Sequence, residues 1–163
     1  MVWWNPQQWA EVVERTPLVS IDLIVTNARS EVLLGWRNNK PAQHFWFVPG
    51  GVVRKGEKLQ QAFERVLWVE LGVLVKLART ECFAGVYEHH YSDNFSGTEG
   101  VGTHYVVLAH RLNAEQHLPA LSALNSLPQD QHNKYEWMPV TELLSNPQVH
   151  EHTKAYFQEQ ATR

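Results

Sequence analysis

One carboxylate falls where the chain has least use for a charge. Along Pro49 to Gly72, PGGVVRKGEKLQQAFERVLWVELG, the spacing predicts a helix over 57–71. Leu59, Phe63 and Val66 share one helical stripe, Glu70 is its next residue, and Ala62, Leu67 and Val69 widen the apolar face. A carboxylate there must be hydrogen-bonded, neutralised or bound to a cation, because an unpaired buried charge is too costly. Two outcomes stay open from the helix alone: a backbone or arginine partner at the fraying end, or a metal ion. Upstream, Gly50-Gly51 reads as a turn, and glycine there also lets a carbonyl face an ion without a side chain in the way. A second carboxylate, Asp22, lies mid-strand in LVSIDLIVT, where aspartate fits poorly. A solvated outer face and a functional role both account for it. Of the adjacent His89 and His90, only one can line any given site, since strand neighbours point opposite ways. His132 stands in DQHN, which reads as a loop, where functional groups gather. Histidine titrates near neutrality and is the usual general base for water. His150 and His152 lack a cysteine or third close ligand for zinc and read as surface residues at a helix start.

The elements that must position these groups follow from pattern. Pro6 suits the first turn of a helix over 6–15, which Thr16-Pro17 ends. In the strand over 18–26, Val19, Ile21, Leu23 and Val25 form a core face opposite Asp22. EVLLGWR (31–37) is expected to return antiparallel and to carry Arg37 at its far end. FWFVPGG and GVVR read as strand running into the helix, and VLVKLAR and ECFAGVYEHHY as two further strands. The stretch 92–102, SDNFSGTEGVG, is polar, glycine-rich and long enough to cover a site. THYVVLAHRL is a strand, 113–133 a long connection without regular period, KYEWMPV a last strand, and a helix closes the chain from about Val149 to Gln160. The order is that of an α+β fold with a mixed sheet.

The 163 residues suit one domain. A net charge of −3 with mixed signs leaves no basic footprint for nucleic acid. One cysteine, Cys82, excludes an intrachain disulfide and fits a reducing compartment. The opening MVWWNPQQWAEVV has no basic region followed by an apolar core, and no run nears the ~20 apolar residues of a membrane helix. A cytoplasmic protein with no membrane association is expected.

The spacing Gly51, five residues, Glu57, seven residues, Arg65, then Glu70-Leu71-Gly72-Val73 resembles the Nudix box, the metal-binding loop-helix-loop of nucleoside-diphosphate hydrolases. Two acidic positions of the usual box are Val66 and Val69 here. That reduced box is similar to the one in GDP-mannose mannosyl hydrolases, which keep a single metal-binding glutamate. The likeness runs from about Thr16 to Phe157 through TPLVSIDLIV, KPAQHFWFVPGG, AFERVLWVELG, DNFSGT, THYVVL, DQH and VHEHTKAYF.

The resemblance implies one Nudix hydrolase domain over 1–163, an α/β/α sandwich. It implies hydrolysis of GDP-mannose to GDP and mannose, with water attacking the anomeric carbon with inversion. Mg²⁺ is the implied cofactor, with Mn²⁺ as the alternative, held by Glu70, the Gly50 carbonyl and Gln131. Such a hard cation needs few protein ligands once a diphosphate binds. Arg37, Arg65 and Tyr105 are implied on the departing diphosphate, Asp22 and His89 beside the sugar, and His132 as base. The family's further arginine is replaced by Val52, and Arg54, two residues on, projects from the same side of an extended run and is the expected substitute. Loop 92–102 runs longer than the family's. A homodimer is implied, with Trp3 and Trp4 suited to its interface. The competing readings are a Nudix pyrophosphohydrolase attacking phosphorus, which the two valines argue against, and a catalytically weak nucleotide-sugar sensor, which the loss of arginine at 52 favours.

Overall fold

A computed structural model describes residues 5–158, so Trp3, Trp4 and the end of the last expected helix lie outside the described residues. Helix α1 (Pro6–Arg15) starts at a capping box, in which Asn5 accepts from the Gln8 N–H at 2.8 Å and the Gln8 side chain accepts from the Asn5 N–H. Strand β1 (Leu18–Thr26) follows, then β2 (Glu31–Arg37), β3 (Trp46–Phe47) and β4 (Gly50–Val52). Next come α2 (Leu59–Leu71), a single turn α3 (Arg79–Cys82), β5 (Phe83–Tyr91), β6 (Thr103–Asn113) and the short α4 (Ala114–His117). The chain ends in β7 (His132–Pro139), α5 (Val140–Ser145) and α6 (Glu151–Gln158).

The strands form one mixed sheet in the order β3-β2-β1-β6-β5, with β4 paired to β1 and β7 to β2. Strand β1 is central and pairs parallel with β6 along its whole length, from Leu18↔Tyr105 to Thr26↔Asn113. Both its faces are covered. Ile21, Leu23 and Val25 pack with Phe63, Val66, Leu67 and Leu71 of α2, while Ile24 packs with Val32, Leu34, Leu143, Tyr156 and Phe157 on the other side. Each such fully buried side chain contributes about 1.5–3 kcal/mol. The solvated face allowed for Asp22 is therefore absent: α6 covers it. No helix among the described residues is long and apolar enough to cross a membrane.

Several expectations are corrected. β2 meets β1 only at Thr26↔Val32 and pairs mainly with β7. The two strands splay apart, and β4 fills the gap along the start of β1, at Ser20↔Val52, Ile21↔Gly51 and Asp22↔Gly50. The expected strand through Pro49 breaks there because the ring has no N–H to give a ladder, while the Pro49 carbonyl accepts from the Leu23 N–H at 2.8 Å. VLVKLAR is not a strand. Val73, Val75 and Leu77 alternate inward onto the core cluster, but the segment lacks ladder partners and ends in α3. α2 starts at Leu59 rather than 57 because Glu57 is held in the preceding turn, and Gly72, at φ +68°, closes it in the left-handed conformation that favours glycine. The long connection holds α4 and one 3₁₀ turn at Leu124–Ser126.

Candidate active site

Beside the splay between β1 and β2, the end of α2 meets β4 and the chain before β7 in a polar site. Glu70, 3 % exposed, points into it from the last turn. Its Oε1 accepts from Gln131 Nε2 at 2.7 Å, and the same amide lies 3.4 Å from the Gly50 carbonyl. Two acceptors thus converge on one donor. A hard cation in the donor's position would meet the same two oxygens, with the Gln131 amide turned to present its own. No lysine or arginine pairs with Glu70 among the described residues; the nearest basic atom is His132 Nδ1, 3.5 Å from Oε2. The donor set therefore fits an oxygen-preferring divalent ion. Only glycine fits at 50, because a Cβ there would collide with the Asp22 carboxylate and stand 2.7 Å from the Ile21 carbonyl. Val66, 1 % exposed, packs beneath Gly51, where a Cβ would come within 3.2 Å of its methyl.

His132 is not on a loop. It begins β7, register-paired with Arg37 and 1 % exposed, and its ring lies where a Cβ on Gly35 would need to be. Neither ring nitrogen has a hydrogen-bond partner, although buried polar atoms normally find one. Arg37, at the end of β2, donates Nε to the Asn39 carbonyl at 3.1 Å and sits over the Phe47 ring, 5.5 Å from its centroid.

Across Gly50, Asp22 accepts from the Tyr156 hydroxyl at 2.6 Å. That hydroxyl has one proton, so its 3.3 Å contact with His89 Nε2 makes the imidazole the donor. Burial raises the Asp22 carboxyl to about 6, opposed by the Tyr156 hydrogen bond and the Arg37 charge. Burial, with His152, His150 and His90 nearby, lowers His89 to about 3, so it works as a neutral donor. His89 stacks on His152, with centroids 4.2 Å apart and planes 5° apart. It faces the site while His90 is exposed on the opposite side, and it reaches Asp22 only through Tyr156. Tyr105, opposite His89 in the ladder, is edge-on to Tyr91 at 5.9 Å, and burial raises its hydroxyl.

One expected phosphate ligand, Arg65, is engaged elsewhere. Arg65 grips Glu57 through Nε–Oε1 at 2.6 Å and Nη2–Oε2 at 2.8 Å, and also donates to the Val52 carbonyl at 2.8 Å. Glu57 Oε2 in turn accepts from the Arg54 N–H. This clamp ties the turn after β4 to α2. The Arg54 side chain is exposed beyond it; the Asp22 carboxyl responds to Arg37 and Glu70, whereas Arg54 acts on Glu57. Arg65 is thus a clamp residue here, and Arg54 joins the clamp through its backbone N–H. The Arg65 hydrogen bonds hold the Glu57 carboxyl down at about 2, so the clamp's stabilisation is complete above the ordinary carboxylate range and is lost as pH falls toward 2. Glu57→Gln is expected to lower the unfolding midpoint at pH 7 and to narrow its gap to wild type in acid. Thermal unfolding at pH 7 and pH 3 checks this; equal gaps would dismiss the clamp.

Sequence reasoning missed Tyr156, Tyr91, His150 and His152. His150 and His152 are half-buried rather than free surface residues. His150 lies against Phe47 at 4.7 Å and Tyr91 at 5.4 Å, and burial lowers it to about 4. The available signal was VHEHTKAYF, whose helical period sets Thr153, Tyr156 and Phe157 on one buried face. Loop 92–102 is pinned rather than free: buried Asn94 donates to the Thr98 and Val101 carbonyls at 2.7 Å each, and the Thr103 hydroxyl donates to the Asp93 carbonyl. Asn94→Ala leaves both carbonyls without that donor and is expected to make the loop amides exchange faster, by hydrogen-exchange mass spectrometry, with β1 and β6 unchanged.

A family model described as the NUDIX domain matches residues 16–160. The low-salt glycan biosynthesis protein Agl8 of Haloferax volcanii is 44 % identical over 103 residues, covering 63 % of this chain and 62 % of that protein. Among solved structures, a MutT protein from Methanosarcina mazei superimposes with a TM-score of 0.68 at 18 % identity, over 91 % of this chain and 96 % of that one. The NUDIX domain of Shewanella oneidensis NrtR, complexed with ADP ribose, gives 0.56 at 18 %, over 91 % and 89 %. At these identities the structures speak for the fold alone.

Proposed function

The chain belongs to the NUDIX family, and from that premise we propose that it hydrolyses GDP-mannose to GDP and mannose by attack of water on the anomeric carbon. One observation carries this reading. The site holds a single box carboxylate, Glu70, with valine at 66 packed under Gly51, and a separate buried carboxylate, Asp22, beyond Gly50. The carboxylate cluster of the usual box, which serves attack at phosphorus, is reduced to one member. The second acid would offset the positive charge of an oxocarbenium-like transition state. The Agl8 relative's name, a glycan biosynthesis protein, supports a sugar-bearing substrate.

Glu70, the Gly50 carbonyl and Gln131 would hold Mg²⁺, or Mn²⁺ in its place. The bound ion would offset negative charge on the leaving diphosphate. Arg37 and Tyr105 bind the diphosphate from the rim. Tyr156 fixes the Asp22 carboxylate, and His89 fixes Tyr156, so the anion needs little reorganisation as the sugar bond stretches. His132, with both ring nitrogens unpartnered, takes the proton from water. Phe47, Tyr91 and His150 pack ring to ring beside Arg37. The working unit is a homodimer, with Phe83 and Val86, 44 % and 59 % exposed on edge strand β5, as apolar surface for it; sedimentation at the monomer mass would dismiss that part.

The test is GDP-mannose with Mg²⁺ in ¹⁸O-labelled water and mass spectrometry of the products. Label in mannose with unlabelled GDP supports attack at carbon. Label in a phosphate product makes the chain a pyrophosphohydrolase, and binding without products makes it a sensor.

A further inference from the structure

The face of β5 turned away from that site carries a second set of donors. Alternation along β5 sends His89 and Tyr91 toward α6 and Glu88 and His90 to the opposite side. His90 is register-paired with His104 of β6, and Glu88 with Val106, so the antiparallel ladder gathers all three side chains near the end that loop 92–102 joins. One ligand atom from each of Glu88, His90 and His104 lies within 4.8 Å of the other two, and no other His, Cys, Asp or Glu trio among the described residues meets that spacing. The imidazoles stack with centroids 4.2 Å apart, and His104 Nε2 stands 3.5 Å from Glu88 Oε1. That nitrogen is shielded from solvent and has no hydrogen-bond partner. The backbones carrying the ligands are already fixed by the ladder, so binding an ion there orders only side chains.

We propose that Glu88, His90 and His104 form a site for one divalent transition-metal ion, Zn²⁺ by its donor set, separate from the Glu70 centre. Two imidazoles and a carboxylate suit zinc at bond lengths of about 2.0–2.2 Å, whereas Mg²⁺ prefers oxygen throughout. Three protein ligands leave a fourth position open. His90 and His104 line a groove of about 340 Å³ between the end of α1 and the β5–β6 pair, together with Glu14 and Thr103. Water or a small anion has room there as the fourth ligand. The pairing of two strands through one ion would also fasten edge strand β5, which has a neighbour on one side only.

The experiment is calorimetric titration of Zn²⁺ into chelator-treated protein carrying Glu70→Gln, so that the Glu70 carboxylate contributes nothing. One ion per chain is expected. Substitutions that touch only outer-shell partners of a metal already weaken it by about 10–100-fold, so His90→Ala or His104→Ala in that background should weaken Zn²⁺ by more than about 100-fold. His44→Ala, on the exposed loop before β3, should leave the affinity unchanged. Zn²⁺ should also raise the thermal midpoint of the Glu70→Gln protein and not that of its His104→Ala derivative. Glu88→Gln, on the exposed side of β5, serves if either histidine variant fails to fold. Absence of binding, indifference to all three ligand substitutions, or loss with His44→Ala instead would each overturn the site.

Discussion

His132→Gln is expected to cut turnover of GDP-mannose by about 10²–10⁴-fold, the usual contribution of a general base, while leaving substrate affinity within a few-fold of wild type. Glutamine keeps much of the size and hydrogen-bonding capacity of the ring but cannot accept a proton near neutral pH. The position is sensitive to shape: the ring is lodged over Gly35 and lies 5.5 Å from Tyr135. A variant of similar size therefore separates chemistry from packing better than alanine would. Single-turnover rates give the chemical step, and calorimetry with a metal that supports binding gives the affinity. An unchanged rate removes His132 from the mechanism; loss of affinity and rate together assigns it to holding the site closed around Glu70, 3.5 Å from its ring.

Asp22→Asn is expected to act in opposite directions on activity and stability. Removing an anion aimed at developing positive charge should lower turnover by about 10²–10³-fold, the scale of a preorganised electrostatic contact. Yet the folded protein disfavours that anion when no cation is bound. Burial lifts the carboxyl from its ordinary 3.8 to about 6. A raised carboxyl means the fold favours the protonated acid, so stability is greatest below about pH 4 and falls as pH rises through 6. Asparagine is neutral throughout and can still accept from the Tyr156 hydroxyl. In the presence of chelator the variant should therefore be the more stable protein at pH 8, by about 2–3 kcal/mol, and the difference should vanish near pH 4. Denaturant unfolding at the two pH values checks it. A variant less stable than wild type at pH 8 would show that the charged form is favoured in the fold.

The parts of the site that lie within one element were legible in the residues. Glu70 continues the stripe of Leu59, Phe63 and Val66, and a period of 3.6 is enough to find it. Asp22 breaks an apolar alternation, and β1, β2, β6 and α1 stand close to where their patterns put them. What failed depended on elements far apart in the chain meeting. The Asp22–Tyr156–His89 chain joins β1, α6 and β5, and nothing local to Tyr156 distinguishes a hydroxyl in a relay from an aromatic in a core. Arg65 reads as a free cation until the turn after β4 brings Glu57 onto it. VLVKLAR has strand composition but lays its alternate residues on the core without joining a sheet edge, and the burial of His150 and His152 comes from Phe47, Tyr91 and His89 rather than from their own neighbours in sequence.

The parallel pairing of β1 with β6 bears on how the chain acquires its structure. β1 precedes the other strands of the sheet in the chain, and its main partner is complete only when Asn113 has been added; the nearer partners, β2 and β4, pair with it at one position and at three. Contacts between such distant segments carry a large loop-closure cost before any pairing energy is gained, and folding rates fall as contacts become less local. During synthesis LVSIDLIVT would lack its full-length ladder partner while most of the domain emerges from the ribosome, the kind of exposed edge that other chains can capture. Yield in cells should therefore respond to translation speed and to chaperone supply more than the stability of the finished fold would suggest.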